Sequence, residues 1–111
     1  MPKLTVFEMK VSKIYPLLVQ KAQKKGRTKE EVDQVIKWLT GHNMDEVDMD
    51  ITYAEFFNNA PEMNQRAQLI KGSICGIKVE EIEDPLMQKI RWLDKLVDEL
   101  AKGKPIGKIL R

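Results

Sequence analysis

VEEIEDPLMQKIRWLDKLVDELAKGK, residues 79–104, is the stretch on which the fold of this 111-residue chain turns. Asp84 is placed to cap a helix with its carboxylate, and Pro85 suits the first helical position, where a missing N–H goes unused. Gly103 closes the other end, because a residue without Cβ enters the left-handed C′ conformation freely. Between these signals Leu86, Ile90, Leu93, Val97 and Leu100 recur at steps of four and three, a single stripe that Leu96 widens. Gln88, Lys89, Arg91, Asp94, Lys95, Asp98 and Glu99 fall mostly opposite, and Asp98 with Lys102 is a favourably oriented i,i+4 pair. The spacing predicts a helix over 85–102, roughly 27 Å long. Its apolar side needs cover, and the rest of the chain must supply it.

The segment 12–41 offers that cover as a helical hairpin. Ile14, Leu17, Leu18 and Ala22 share a face, with Pro16 tolerated in the first turn. Lys24 and Lys25 suit the negative end of the helix dipole, and Gly26 stops the helix. Thr28 and Glu31 then have the spacing of a capping box, opening a second helix that buries Val32, Val35, Ile36 and Leu39 and ends at Gly41. Before this hairpin, Phe7, Met9 and Val11 alternate with charged residues. That pattern reads as an extended arm tucking Phe7 into the core.

Beyond it, HNMDEVDMDI (42–51) is polar and acidic and reads as a loop. Thr52 and Glu55 repeat the capping box, and Ile51 with Phe56 forms a hydrophobic staple. They open a short helix that carries Tyr53, Phe56 and Phe57 and runs to Asn58. In 62–78, Ala67, Ile70, Ile74 and Ile77 step by three, four and three, which favours a helix capped by Asn64. Gly72 and Gly76 each weaken it by ~1 kcal/mol, and a β-hairpin turning near Gly72 is the alternative. Ile106, Ile109 and Leu110 are expected to dock as a final turn.

Composition confines the function. Hydrophobic residues make up 42% and charged residues 32%, as in an ordinary soluble domain. Nineteen basic against seventeen acidic residues leave +2, too little to argue for nucleic acid from bulk charge. The single cysteine, Cys75, can form no intramolecular disulfide and no cysteine-based zinc site. No apolar run suits a signal peptide or a membrane span, so the cytoplasm is the expected location.

Candidate chemistry is sparse. Asp48-Met49-Asp50-Ile51-Thr52 matches the letters D-x-D-x-T of phosphatases that form an aspartyl-phosphate. That chemistry needs the first aspartate at the end of a buried parallel strand, which MDEV does not supply. An EF-hand reading fails on its position-six glycine and position-twelve glutamate. Cys75 lies among isoleucines and glycines, a setting for a buried thiol, while His42 follows a helix-ending glycine. Neither a catalytic constellation nor a cofactor or metal set emerges.

Two surfaces remain as binding candidates. Lys21, Lys24, Lys25, Arg27 and Lys29 cluster around the hairpin turn, and segment 21–39 invites comparison with a helix-turn-helix. The second helix, however, opens on Glu30, Glu31 and Asp33, carboxylates that would repel a duplex. Trp38 and Trp92 sit beside their apolar stripes; a half-exposed pair of this kind can anchor a protein partner. Met44, Met49, Met63 and Met87 read as gap-fillers.

The runs KAQKKGRTKEEVDQVIKWLTG (21–41) and ICGIKVEEIEDPLMQKIRWLDKLVDELAKGK (74–104), with YAEFFNNAPEMN between them, resemble a family of small bacterial proteins catalogued as domain of unknown function 2200. The resemblance implies a small stand-alone cytoplasmic protein and carries over no activity, cofactor or catalytic residue. The expectation is therefore a single all-α domain over 1–111, of about five helices, with the N-terminal hairpin packed on the long C-terminal helix. Its leading function is non-enzymatic protein interaction or regulation, through Trp38 and Trp92 or by self-association. Nucleic-acid binding through the basic turn is the alternative.

Overall fold

The computed structural model describes residues 7–74 and 76–110. Helices α1 (Val11–Gln23), α2 (Lys29–Thr40), α3 (Tyr53–Asn58), α4 (Pro85–Ala101) and α5 (Ile106–Ile109) build an all-α fold with one small β-hairpin, β1 (Ser73–Ile74) and β2 (Ile77–Lys78). Helix α4 is the hub: α1, α2, α3, α5 and β1 all pack against it. Its Asp84 carboxylate accepts from the amides of Leu86 (2.9 Å) and Met87 (3.3 Å), with Pro85 at the start as its sequence requires. At the far end the Gly103 amide donates to the Leu100 carbonyl and that of Lys104 to Glu99, both 3.1 Å. This is the Schellman pattern that a glycine at φ 91° permits.

The hairpin α1–α2 closes by the same device. Gly26 bonds back to Gln23 and Arg27 to Ala22, each at 3.0 Å, and Thr28 with Glu31 forms a complete capping box. Pro16 departs from expectation. The helix begins at Val11, so the proline lies in the second turn and cannot bond the Ser12 carbonyl. Both residues are exposed, which leaves that carbonyl to water. Leu17 also departs: Ile14, Leu18 and Ala22 are buried, whereas Leu17 is 57% exposed.

The arm before α1 finds a partner that its own sequence does not reveal. Residues 7–12 run antiparallel to 49–54, with a bridge between Lys10 and Thr52. Tyr53 and Ala54 donate to the carbonyls of Met9 and Phe7, and Val11 and Ser12 donate to those of Ile51 and Met49. The last two bonds satisfy orphan amides of α1, whose N-cap, Lys10, makes no side-chain cap. The acidic loop 42–51 thus caps a helix, and it buries Met44 beneath itself.

Segment 62–78 corrects the expected helix. Asn64 does act as a cap, but of a short 3-10 helix, Gln65–Leu69. The chain then pairs Ser73 with Lys78 and Ile74 with Ile77. The reversal lies at Gly76 (φ 80°), not near Gly72, which is itself at φ 117°. Two left-handed glycines cannot continue a right-handed helix, and this outweighs the apolar periodicity. Ala67, Ile70 and Ile74 still reach the core, while Ile77 is left 46% exposed.

Candidate functional site

Trp38 and Trp92 part company in the structure. Trp92 is 9% exposed on α4, with Gln68, Ile70, Glu80 and Gln88 around a shallow depression beside it; Gln88 Nε2 donates to the Val79 carbonyl at 3.1 Å. It belongs to the core and presents little surface to a partner. Trp38 is only half-buried. It stands on α2 at the edge of an open cleft of about 730 Å³, with Lys37, Gly41, Glu62, Met63, Asn64, Gln65 and Arg66 completing the wall.

This cleft exists because the chain after α3 returns to bind the end of α2. The last carbonyls of a helix lack intrahelical partners. Here Trp38 O accepts from Asn64 Nδ2 (3.1 Å), Leu39 O from the Asn64 amide (2.9 Å) and Thr40 O from the Glu62 amide (3.1 Å). Gly41, at φ 80°, lets Glu62 come close: a Cβ there would lie 3.0 Å from the Glu62 nitrogen. Asn64 Oδ1 meanwhile accepts from the Arg66 amide at 2.8 Å. One asparagine therefore joins the end of α2 to the start of the 3-10 turn and fixes both sides of the cleft.

The basic cluster is largely spent within the molecule. Lys21 pairs with Asp98 at 3.3 Å, Arg27 with Glu31 at 2.5 Å and Lys29 with Asp33 at 2.8 Å. Tyr15 Oη donates to Asp33 as well, tying α1 to α2, and Lys29 lies over the Tyr15 ring. Burial, then the bond to Asp33, pushes the Tyr15 hydroxyl up to about 12. Lys24 and Lys25 remain without an ion pair among the described residues.

Other candidates resolve into structural roles or fall elsewhere. His42 Nε2 lies 2.7 Å from the Phe56 carbonyl, which accepts its proton, and the imidazole stacks on the Phe56 ring at 4.3 Å. Asp48 accepts from the Asp50 amide at 2.9 Å and Thr52 caps α3, so the D-x-D-x-T letters spell a turn and a cap. Cys75 lies outside the described residues.

A second depression, about 340 Å³, lies between α1, α4 and β1 and was not anticipated from the sequence. Met9, Ile14, Leu17, Leu18, Ile74 and Val97 make it apolar, with Lys21 and Asp94 at its side. Burial raises the Asp94 carboxyl above its ordinary range against the pull of Arg91, 3.1 Å away. The exposed Leu17 is its only advance signal, and periodicity assigned that residue to the core.

Comparison with known proteins places this fold. Residues 5–111 match the family model described as uncharacterized protein conserved in bacteria, DUF2200. None of the curated proteins matches the chain. The crystal structure of the uncharacterized protein SP1917 is similar, with 43% identity over 98% of this chain and 94% of that one, at a TM-score of 0.89. The chain belongs to the DUF2200 family of bacterial proteins.

Proposed function

We propose that the chain is a non-enzymatic interaction domain of the bacterial cytoplasm, and that it holds a segment of a protein partner in the Trp38 cleft. The observation that carries this reading is a half-buried tryptophan at the edge of a cleft whose main-chain walls are already hydrogen-bonded. A wall fixed in advance leaves less ordering cost to binding, and an aromatic ring offers a large contact area with few rotatable bonds. Tryptophan is also the residue type most enriched where truncation costs a complex most.

The test is site-specific photo-crosslinking in cells, with a photoreactive phenylalanine at Gln65 inside the cleft and, as control, at Lys24 on the basic turn. A discrete protein adduct is expected from Gln65 and none of the same mass from Lys24. Trp38→Ala should abolish it, as should Lys37→Glu, an exposed change on the same wall, with far-UV circular dichroism showing both variants folded. Identical adducts from both positions, or adducts indifferent to both substitutions, would refute the reading.

A further inference from the structure

We propose that the exposed face of α1 receives an amphipathic partner helix with acidic residues along its flank. This surface shares no residue with the Trp38 cleft. Its centre is Leu17, 57% exposed on a helix whose Ile14 and Leu18 are buried beside it. Leu17 forms one rim of the apolar hollow of about 340 Å³, to which Ile74 and Val97 bring β1 and α4. A protruding leucine beside a recess offers a partner both a knob and a hole, the arrangement by which helices interlock. Backbone accounting favours a helix over an extended chain. The peptide groups of α1 and α4 are spent in helical bonds, and β1 is paired with β2. An extended segment would find few main-chain partners here for its own N–H and C=O groups, whereas a helix arrives with its bonds made.

Charge selects the acidic flank. Helix α1 carries no acidic residue. Lys13 and Lys24 are exposed and without an ion pair among the described residues. At about 100° and 1.5 Å per residue, both fall within about 40° of Leu17 and roughly 16 Å apart along the axis. Lys24 keeps this helical course, at φ −60° and ψ −22°. The nearby carboxylates are already matched: Asp94 by Arg91, Asp98 by Lys21 and Lys102, and Asp50 by Lys10. The unmatched charge of the α1 surface is therefore positive. A second copy of the chain on a twofold axis would set these lysines against their equivalents. A lipid surface needs a row of protruding apolar side chains, and here one leucine stands out while its apolar neighbours are recessed. Carboxylates about three turns apart on a partner helix meet both lysines while its apolar side chains enter the hollow.

Fluorescein-labelled peptides of about eighteen residues, sharing one leucine stripe flanked by glutamates, glutamines or lysines, are the probes for fluorescence polarisation against the whole chain. The glutamate peptide should bind roughly tenfold more tightly than the glutamine peptide, as two exposed ion pairs allow, and added salt should narrow the gap. Lys13→Glu combined with Lys24→Glu should invert the preference in favour of the lysine peptide. Leu17→Ala, an exposed change to a good helix former, should weaken all three roughly tenfold, with circular dichroism showing the fold intact. Trp38→Ala should change none of them. Equal binding of the three peptides would overturn the acidic assignment. Binding indifferent to Leu17→Ala, or lost in Trp38→Ala, would overturn the placement on α1. No measurable binding of any peptide would overturn the proposal outright, and the crosslinks from Gln65 would still decide the Trp38 cleft. A dimer in analytical ultracentrifugation, or binding to phosphatidylglycerol vesicles, that Leu17→Ala abolishes would overturn it in favour of a second copy or of lipid.

Discussion

Replacing Asn64 by alanine separates the cleft from the helix it caps. The side chain makes two bonds that alanine cannot: Nδ2 to the Trp38 carbonyl at 3.1 Å and Oδ1 from the Arg66 amide at 2.8 Å. A net ~1 kcal/mol for each gives a loss of roughly 2 kcal/mol, of which the Arg66 bond is the N-cap share. The main-chain bond from Asn64 to Leu39 survives, so the segment stays near α2 and the domain still folds. With a urea dependence of about 1.5 kcal/mol per molar, the unfolding midpoint should fall by roughly 1.3 M without a change of slope. Asn64→Asp divides the two contributions. It keeps the acceptor for Arg66 but sets a carboxylate against the Trp38 carbonyl, at the negative end of α2. This variant should be at least as unstable as the alanine one at neutral pH. It should recover in acid, where the protonated carboxyl can donate to that carbonyl. A midpoint within a few tenths of a molar of wild type for alanine, or an aspartate variant as stable as wild type, would show that this asparagine does not join the two elements.

The left-handed glycines allow a paired comparison. Gly26→Ala meets only the backbone penalty of about 1 kcal/mol, since nothing lies within 4 Å of its added Cβ; Gly41→Ala, at nearly the same φ, also meets the Glu62 nitrogen at 3.0 Å and should melt several degrees lower still. Equal melting temperatures would mean that the 62–64 segment yields freely. For Asp98, burial raises the pKa, but the ammonium groups of Lys102 and Lys21 outweigh it and hold the carboxyl below its ordinary value. A folded-state pKa below the unfolded one gives stability that is complete above about pH 4 and is lost as pH falls through the folded value. Asp98→Asn should therefore flatten the acid limb of a stability–pH profile recorded by chemical denaturation, and an unchanged limb would remove the pair from the account.

What was legible in the sequence is what short-range chemistry fixes. Thr28 with Glu31, Thr52 with Glu55, Asp84 with Pro85, and the glycines at 26, 41 and 103 each act within a few residues, and each stands in the structure where its spacing places it. Segment 62–78 was harder because two short-range signals conflict there. Its apolar steps suit a helix, its glycines do not, and the outcome depends on contacts outside the segment. The Glu80 carboxylate accepts from the Gly72 amide at 3.1 Å, and the Lys95 side chain of α4 comes so near Gly72 that a Cβ would meet its Cε at 3.0 Å. Neither contact can be read from periodicity.

The candidate site follows the same logic one level higher. Trp38 and Trp92 look alike in sequence, each flanking an apolar stripe on a charged helix. What separates them is which flank a later segment covers: Trp92 is buried beside Gln68, Ile70 and Glu80, whereas the return of 62–66 stops at the end of α2 and leaves Trp38 at an edge. That return is driven by orphan carbonyls, an obligation every helix end carries and no side-chain pattern announces. The cleft is thus a by-product of satisfying the backbone. Its walls are set by Asn64 and Gly41, residues that make the fold, whereas the Lys37 side chain is exposed on the same wall. This division is why the substitutions that test binding differ from those that test stability. A partner site here should respond to Lys37 and Trp38 in a protein whose unfolding midpoint scarcely moves on Lys37→Glu.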